Sequence, residues 1–187
     1  ATPTGEPVFR EPPPPPPPPV TTSPDPAPSA PSTPSEPAPP SGGNGISAAD
    51  EAAAVRLFNA KAVQLQRPKG DSPGRFLAVG PKTTLLPGSG HKVEPKTTGV
   101  GSTIAAAVAD YEKKHKTNFP SGGSLNSTER SLLAWYGGMN STNGPTSVRR
   151  DNKGRFHGEY FRPSKGSQHK THNTLTEALD WLKKQGL

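Results

Sequence analysis

Thr146-Ser147-Val148-Arg149-Arg150-Asp151-Asn152-Lys153-Gly154-Arg155-Phe156-His157-Gly158-Glu159-Tyr160-Phe161-Arg162 decides the fold, together with the residues that follow it to Leu187. Val148-Arg149-Arg150 is a short extended stretch, and Asp151-Asn152-Lys153-Gly154 has the Asn/Asp/Gly chemistry of a tight hairpin. Arg155 to Arg162 alternates, Pro163-Ser164-Lys165-Gly166 turns the chain again, and Gln168 to His172 extends. Thr174 then opens a helix, with Glu177 three residues on as a capping box. Leu175, Ala178, Leu179 and Leu182 share one face of that helix, and Gly186 suits the left-handed position past its end. Strand, hairpin, strand, turn, strand, helix makes residues 146–187 a βββα module. Its helix is expected to cover one face of a three-stranded antiparallel sheet and to leave the other free.

Alternation puts Phe156, Gly158 and Tyr160 on one face of the middle strand and Arg155, His157, Glu159 and Phe161 on the other. The aromatic face is expected to meet the helix. The charged face is expected to gather Arg149 or Arg150 from the first strand and Gln168 and Lys170 from the third. A sheet face of this kind suits a nucleic-acid groove, with arginine reading guanine, glutamate accepting from cytosine, and the remaining cations on phosphates. The expected contact residues are Arg149, Arg150, Arg155, His157, Glu159, Arg162, Lys165, Gln168 and Lys170. The competing reading is a small α+β domain with a solvated charged face.

Charge supports a polyanion partner. Residues 147–187 hold 9 basic and 4 acidic residues, and residues 47–146 hold 12 and 7. Residues 1–46 are the reverse, with one arginine against four acids. Basic charge concentrated in a compact segment is the usual electrostatic footprint of nucleic acid.

Residues 1–46 hold 18 of the 26 prolines, including the run Pro12 to Pro19, and little apolar material beyond Val8, Phe9, Val20 and Ile46. Such a segment buries too little surface to offset its ordering entropy, so a disordered arm with polyproline II character is expected. The run is read as an extended spacer. The alternative is a ligand for a proline-motif-binding protein. About 140 residues remain, enough for one modest domain or two small ones.

Residues 47–140 read as a mainly helical region with short strands. Ser47 caps a first helix with Asp50 and Glu51 in its first turn, and Val55, Phe58, Ala62 and Leu65 make its apolar stripe until Pro68 and Gly70 stop it. Arg75 to Val79 is the best strand candidate. A second helix is expected from Ser102 or Thr103 to Lys116, buried through Ile104, Ala107, Val108 and Tyr111, with Lys113, Lys114 and Lys116 complementing its C-terminal dipole. A third begins at Asn126, where Glu129 again matches a capping box, and ends at Gly137-Gly138. Pro81-Lys82-Thr83-Thr84 recurs as Pro95-Lys96-Thr97-Thr98, either as two equivalent turns or by chance.

No enzymatic constellation stands out. Gly99-Val100-Gly101-Ser102-Thr103 precedes a helix but lacks the Lys-Ser/Thr ending of a P-loop, so a capped helix start is the better reading. His169 and His172 are an odd number of residues apart on a strand and face opposite sides, and no cysteine joins them or His157, so neither metal nor cofactor is expected. No stretch approaches the roughly 18 apolar residues of a membrane span, and no signal pattern opens the chain. An intracellular or virion location is expected.

The motifs Ser147-Val148-Arg149-Arg150, Gly154-Arg155-Phe156-His157-Gly158-Glu159-Tyr160, Lys170-Thr171 and Thr174-Leu175-Thr176-Glu177-Ala178-Leu179-Asp180-Trp181-Leu182 together resemble the arm-type DNA-binding domain of phage integrases. They are also similar to the plant ethylene-response-factor domain. The resemblance covers about a fifth of the chain. It implies a βββα fold whose sheet lies in the DNA major groove, with contacts from Arg149, His157, Glu159, Gln168 and Lys170. His172 departs from the pattern, standing where the families have an aromatic that seals the core. No recombinase catalytic domain is present, so integrase activity is not expected. The expectation is therefore a non-enzymatic DNA- or RNA-binding protein held mostly by phosphate contacts. Its rival is a self-assembling viral coat or nucleic-acid-packaging subunit with a disordered arm, and a third reading is a poly-Pro adaptor.

Overall fold

Side chains at four boundaries fix where the helices begin. Ser47 accepts from the Asp50 amide at 3.1 Å and starts α1 (Ala48–Asn59). Thr103 accepts from Ala106 at 3.0 Å and starts α2 (Ile104–His115), so the Gly99–Thr103 segment is a three-residue strand followed by a capped helix start. Asn126 and Glu129 form a capping box on α3 (Ser127–Gly138), and Thr174 and Glu177 form another on α4 (Leu175–Lys184). Each cap satisfies amide groups that a helix terminus leaves without an intrahelical acceptor.

The computed structural model describes residues 13–15, 46–69, 75–87, 92–139 and 144–187. The chain divides into two units, Ala1–Pro39 and Pro40–Leu187. Of the first, only Pro13–Pro15 is described, exposed and in no helix or strand, so the expected arm and the poly-Pro reading lie almost wholly outside the described residues.

The described residues of the second unit are α+β, with four helices and a six-stranded antiparallel sheet. The strands are β1 (Val63–Arg67), β2 (Phe76–Val79), β3 (Gly99–Gly101), β4 (Thr146–Arg150), β5 (Phe156–Arg162) and β6 (Gly166–His172), in the order β3-β2-β1-β4-β5-β6. The expected three-stranded terminal sheet is therefore half of a larger one. β4 pairs with β1 along its whole length, from Val63 opposite Arg150 to Arg67 opposite Thr146. The first helix is also shorter than its apolar spacing suggests. It stops at Asn59, Ala62 takes a left-handed backbone (φ 56°), and Leu65 belongs to β1. Val63, Leu65 and Arg67 are buried while Gln64 and Gln66 are only partly so, a period of two that wins over a helical reading.

The two halves repeat one plan. α1-β1-β2-β3-α2 and α3-β4-β5-β6-α4 have the same element order, and the sheet order reads alike from either edge inward. The antiparallel pair Leu65 and Val148 lies at the centre. The correspondence extends to packing: α2 buries Ile104, Ala107, Val108 and Tyr111, and α4 buries Leu175, Ala178, Leu179 and Leu182 at matching positions after a threonine cap. Two glycines let these helices settle close to the strands. A Cβ on Gly99 would collide with the Ala107 carbonyl, and one on Gly158 would lie 2.8 Å from the Trp181 ring and 3.1 Å from the Ala178 carbonyl.

The core is the layer between the helices and one sheet face. Cross-strand partners share a face, so Gly99, Ala78, Leu65, Val148, Gly158 and Lys170 form a row across all six strands on the helix side. Tyr160, Leu179 and Leu182 are buried together as expected, while Phe156 is half-buried against Phe58, 5.9 Å away edge-on. Asp50 joins two helix starts. It is buried, and its Oδ1 accepts from the Ala105 amide at 2.8 Å in the first turn of α2, where the dipole favours a carboxylate.

Leu179 is fully buried. Leu179→Ala is expected to lower stability by about 2–5 kcal/mol through lost transfer energy and the cavity left behind. Urea unfolding of the full chain measures this, and a change under about 0.5 kcal/mol would contradict the packing described.

Candidate nucleic-acid interface

The register separates the nine expected contact residues. Arg149, His157 and Glu159 lie on the face away from the helices, with Gln64, Ser147, His169 and Thr171. Arg150, Arg162, Gln168 and Lys170 lie on the helix side, opposite or in line with Phe156, Tyr160 and Gly158. Arg155 is in the β4–β5 turn and Lys165 in the β5–β6 turn, at opposite ends of the seven-residue β5, about 20 Å apart along the strand. The expected single basic face is thus not assembled.

The error is one of parity. The β5–β6 turn closes with Arg162 opposite Gly166, which puts the even-numbered residues of β6 on the same face as the even-numbered residues of β5. Shifting a strand by one residue reverses every side chain, and the turn length alone makes that choice.

The helix-side arginines are structural. Arg150 Nη1 donates to the Phe58 carbonyl at the end of α1, and its guanidinium lies 5.4 Å over the Phe156 ring. Arg162 Nη2 donates to the Gln185 carbonyl at the end of α4, over Tyr160. Both complement the negative end of a helix. Gln168 donates to the Lys165 carbonyl at 2.9 Å within its own turn.

On the open face the polar groups are engaged with one another. Arg149 Nε is 3.7 Å from Glu159 Oε1, and the Ser147 hydroxyl donates to Glu159 Oε2 at 3.3 Å. A glutamate held this way already has donors in place of a base. His157 is buried between two partners, with Nε2 3.0 Å from Asp151 Oδ2 and Nδ1 3.0 Å from the Thr171 hydroxyl. The Asp151 carboxylate can only accept, so Nε2 carries a proton toward it. Asp151 also accepts from the Lys153 and Arg155 amides at 2.9 Å and from Arg155 Nε at 3.1 Å. The bond from His157, with those from Arg155 and Lys153, holds its carboxyl far below the usual range. Carboxylate, imidazole and hydroxyl stand in the order of a nucleophilic relay. Here the relay fastens the β4–β5 turn to the edge strand. A cleft of about 320 Å³ lies instead on the helix side, lined by Val55, Phe58, Leu125, Arg150, Phe156 and Leu175 among others.

Positive charge gathers elsewhere, at one end of the sheet. Gln64 pairs with Val79, Ala78 with Gly99, Val63 with Arg150 and Arg150 with Phe156. This pairing brings the segment before β1, both ends of the β2–β3 connection and the β4–β5 turn to the same end. The C-terminus of α2 joins them through Lys82 Nζ on the His115 carbonyl (3.2 Å), Lys114 Nζ on the Thr98 carbonyl (2.8 Å) and His115 Nε2 at the Thr97 carbonyl (2.8 Å). Lys114 is paired with Asp110 at 2.6 Å and Arg155 with Asp151 at 3.1 Å. Among the described residues Lys61, Lys96, Lys113, Lys116 and Lys153 are exposed and make no ion pair. The sequence reading missed this convergence. Its one local signal is the run Lys113-Lys114-His115-Lys116.

The described residues contain no group of histidines and carboxylates able to hold a metal ion, and no described helix is long and apolar enough to cross a membrane. The chain matches no protein-family model, no curated protein and no solved structure.

His172 supplies a pH test. Its ring lies 5.8 Å from that of Trp181, and Nε2 is buried without a partner. Burial, helped by Lys170 and His157 and opposed by Glu177, lowers its pKa from the ordinary 6.5. The unfolded chain therefore takes up a proton that the folded chain resists. This contribution to stability is full above about pH 6.5 and is lost as pH falls below it. Urea unfolding at a series of pH values is expected to show that loss in the wild type and a flatter profile in His172→Phe. Parallel profiles would contradict the placement of His172. Asp151 acts in a separate window, losing its contribution only as pH falls from 3.8 toward its depressed folded value.

Proposed function

We propose that this chain is a non-enzymatic nucleic-acid-binding protein that holds the phosphate backbone through the basic end of its sheet, not through an open sheet face reading bases. One observation carries the reading: separate segments of the sequence bearing Lys61, Lys96, Lys113, Lys116 and Lys153, each exposed and outside any ion pair among the described residues, are brought to that end. Lys61 leaves α1 beside the turn that carries Lys153 and Arg155, because Val63 and Arg150 are directly paired. Like charges brought together destabilise the compact state. Their convergence makes sense if a polyanion neutralises them.

The open face supports base reading less well. Arg149 and Glu159 neighbour each other there, and His157 has both ring nitrogens engaged, one of them by Asp151. Affinity would come mainly from counterion release and fall steeply with salt. The packaging-subunit reading is weighed by the same experiment, since it requires ordered assemblies with one copy per few nucleotides.

The test is titration of the full chain with duplex DNA and with single-stranded RNA at several salt concentrations, with light scattering on the complexes. Lys153→Ala and Lys61→Ala are each expected to lower the slope of log affinity against log salt by about one unit, with similar losses for unrelated sequences. Arg149→Ala is expected to leave the slope nearly unchanged. Absence of binding to either nucleic acid, or slopes unchanged in both lysine variants, would contradict the reading.

A further inference from the structure

The repeated tetrapeptide forms two equivalent turns. Thr83 N donates to the Gly80 carbonyl at 2.9 Å and Thr97 N to the Glu94 carbonyl at 3.0 Å, the same i to i+3 closure around Pro81-Lys82 and Pro95-Lys96. Proline at the first central position suits a turn, and lysine follows it in each. The turns are bonded to each other: Thr83 Oγ1 donates to the Thr97 carbonyl at 3.1 Å, and Thr84 N donates to Thr97 Oγ1 at 2.9 Å. The pair is in turn bonded to the end of α2 through Lys82, Lys114 and His115. The result is a fixed platform rather than two loose loops.

Charge on this platform exceeds what the helix end needs. Lys82 and Lys114 bond to carbonyls, one of them at the last residue of α2, and Lys114 also pairs with Asp110. Those contacts already complement the dipole. Lys96, Lys113 and Lys116 are exposed and make no ion pair among the described residues.

Lys116 carries a conformational cost as well. It closes α2 with a left-handed backbone (φ 47°, ψ 49°), its amide on the Lys113 carbonyl and the Thr117 amide on the Glu112 carbonyl. That is the helix-ending position where glycine is usual, because a Cβ is disfavoured there. An exposed cation at a position suited to glycine, on a rigid mount with further exposed lysines outside any ion pair, is accounted for if it contacts a polyanion.

We infer that the paired turns and the end of α2 form a second phosphodiester-contact surface, with Lys96, Lys113 and Lys116 as its contacts. The inference rests on the function proposed above and extends it. The chain grips one backbone at two places along the same end of the sheet, the β4–β5 turn with Lys61 and the twin-turn platform.

Lys116→Gly is the decisive variant. It removes the charge while supplying the residue that the backbone favours, so the fold is expected to stay intact by circular dichroism and thermal melting. Lys96→Ala and Lys113→Ala accompany it, with Lys153→Ala as the variant of the first surface. The full chain is titrated with labelled duplex DNA and single-stranded RNA at several salt concentrations. Each platform variant is expected to lower the salt slope by about one unit, with the Lys153→Ala effect adding to it. If Lys116→Gly, Lys96→Ala and Lys113→Ala all keep the wild-type slope while Lys153→Ala lowers it, the second surface is refuted and the function stands. If the wild type binds neither nucleic acid, both are refuted.

Discussion

Arg67 is a buried cation with no carboxylate in ion-pair reach among the described residues, and the joining of the two halves depends on it. Its Nη1 donates to the Tyr136 carbonyl at 3.0 Å and to the Gly137 carbonyl, at the C-terminal end of α3, and its guanidinium lies 4.9 Å over the Phe76 ring. Burial lowers its pKa, and the negative end of the helix supplies the compensation. Tyr136 completes the arrangement. Its hydroxyl lies 3.1 Å from both the Leu65 and the Thr146 carbonyls, one on β1 and one on β4. Burial pushes that phenol well above its ordinary range. One helix end thus reaches both strands of the central pair, and removal of Arg67 would take this donor from the carbonyls at the end of α3.

That seam makes the repeated plan into one sheet. Two αβββα halves meeting at an antiparallel central pair must run their helices in opposite directions. α1 and α2 therefore end where β1 begins, and α3 and α4 end where β4 begins. The basic end follows from this. It combines the exit of α1, the C-terminus of α2, the β2–β3 connection and the β4–β5 turn, segments far apart in sequence that the register alone brings together. The functional reading therefore belongs to the whole six-stranded sheet rather than to residues 146–187.

Much of the local structure was legible in the sequence because its causes are local. The caps rest on a side chain and an amide three residues apart, and all four are present, at Ser47, Asn126 and Thr174 and, of Ser102 and Thr103, at Thr103. The alternation of Phe156, Gly158 and Tyr160 also reads directly. β1 did not, since Val55, Phe58, Ala62 and Leu65 keep a helical spacing across a chain that turns at Ala62. What identifies β1 as a strand is β4, some eighty residues later. The site was least legible. Whether Lys170 joins His157 or Phe156 depends on the length of one turn, and Arg150 was claimed by a helix end that the alternation of its own strand does not reveal. The turn that carries Lys96 and the helix end that carries Lys116 are joined only through hydrogen bonds between the turns and α2.

Native-state hydrogen exchange across the seam tests the central claim most directly. If the two halves fold as one sheet, the bonded amides of β1 and β2 and those of β4 and β5 exchange through the same global opening, with free energies that converge as denaturant is added. Protection that survives in β4–β6 at denaturant concentrations where β1–β3 has lost it would contradict this. It would mean that the terminal βββα segment stands alone.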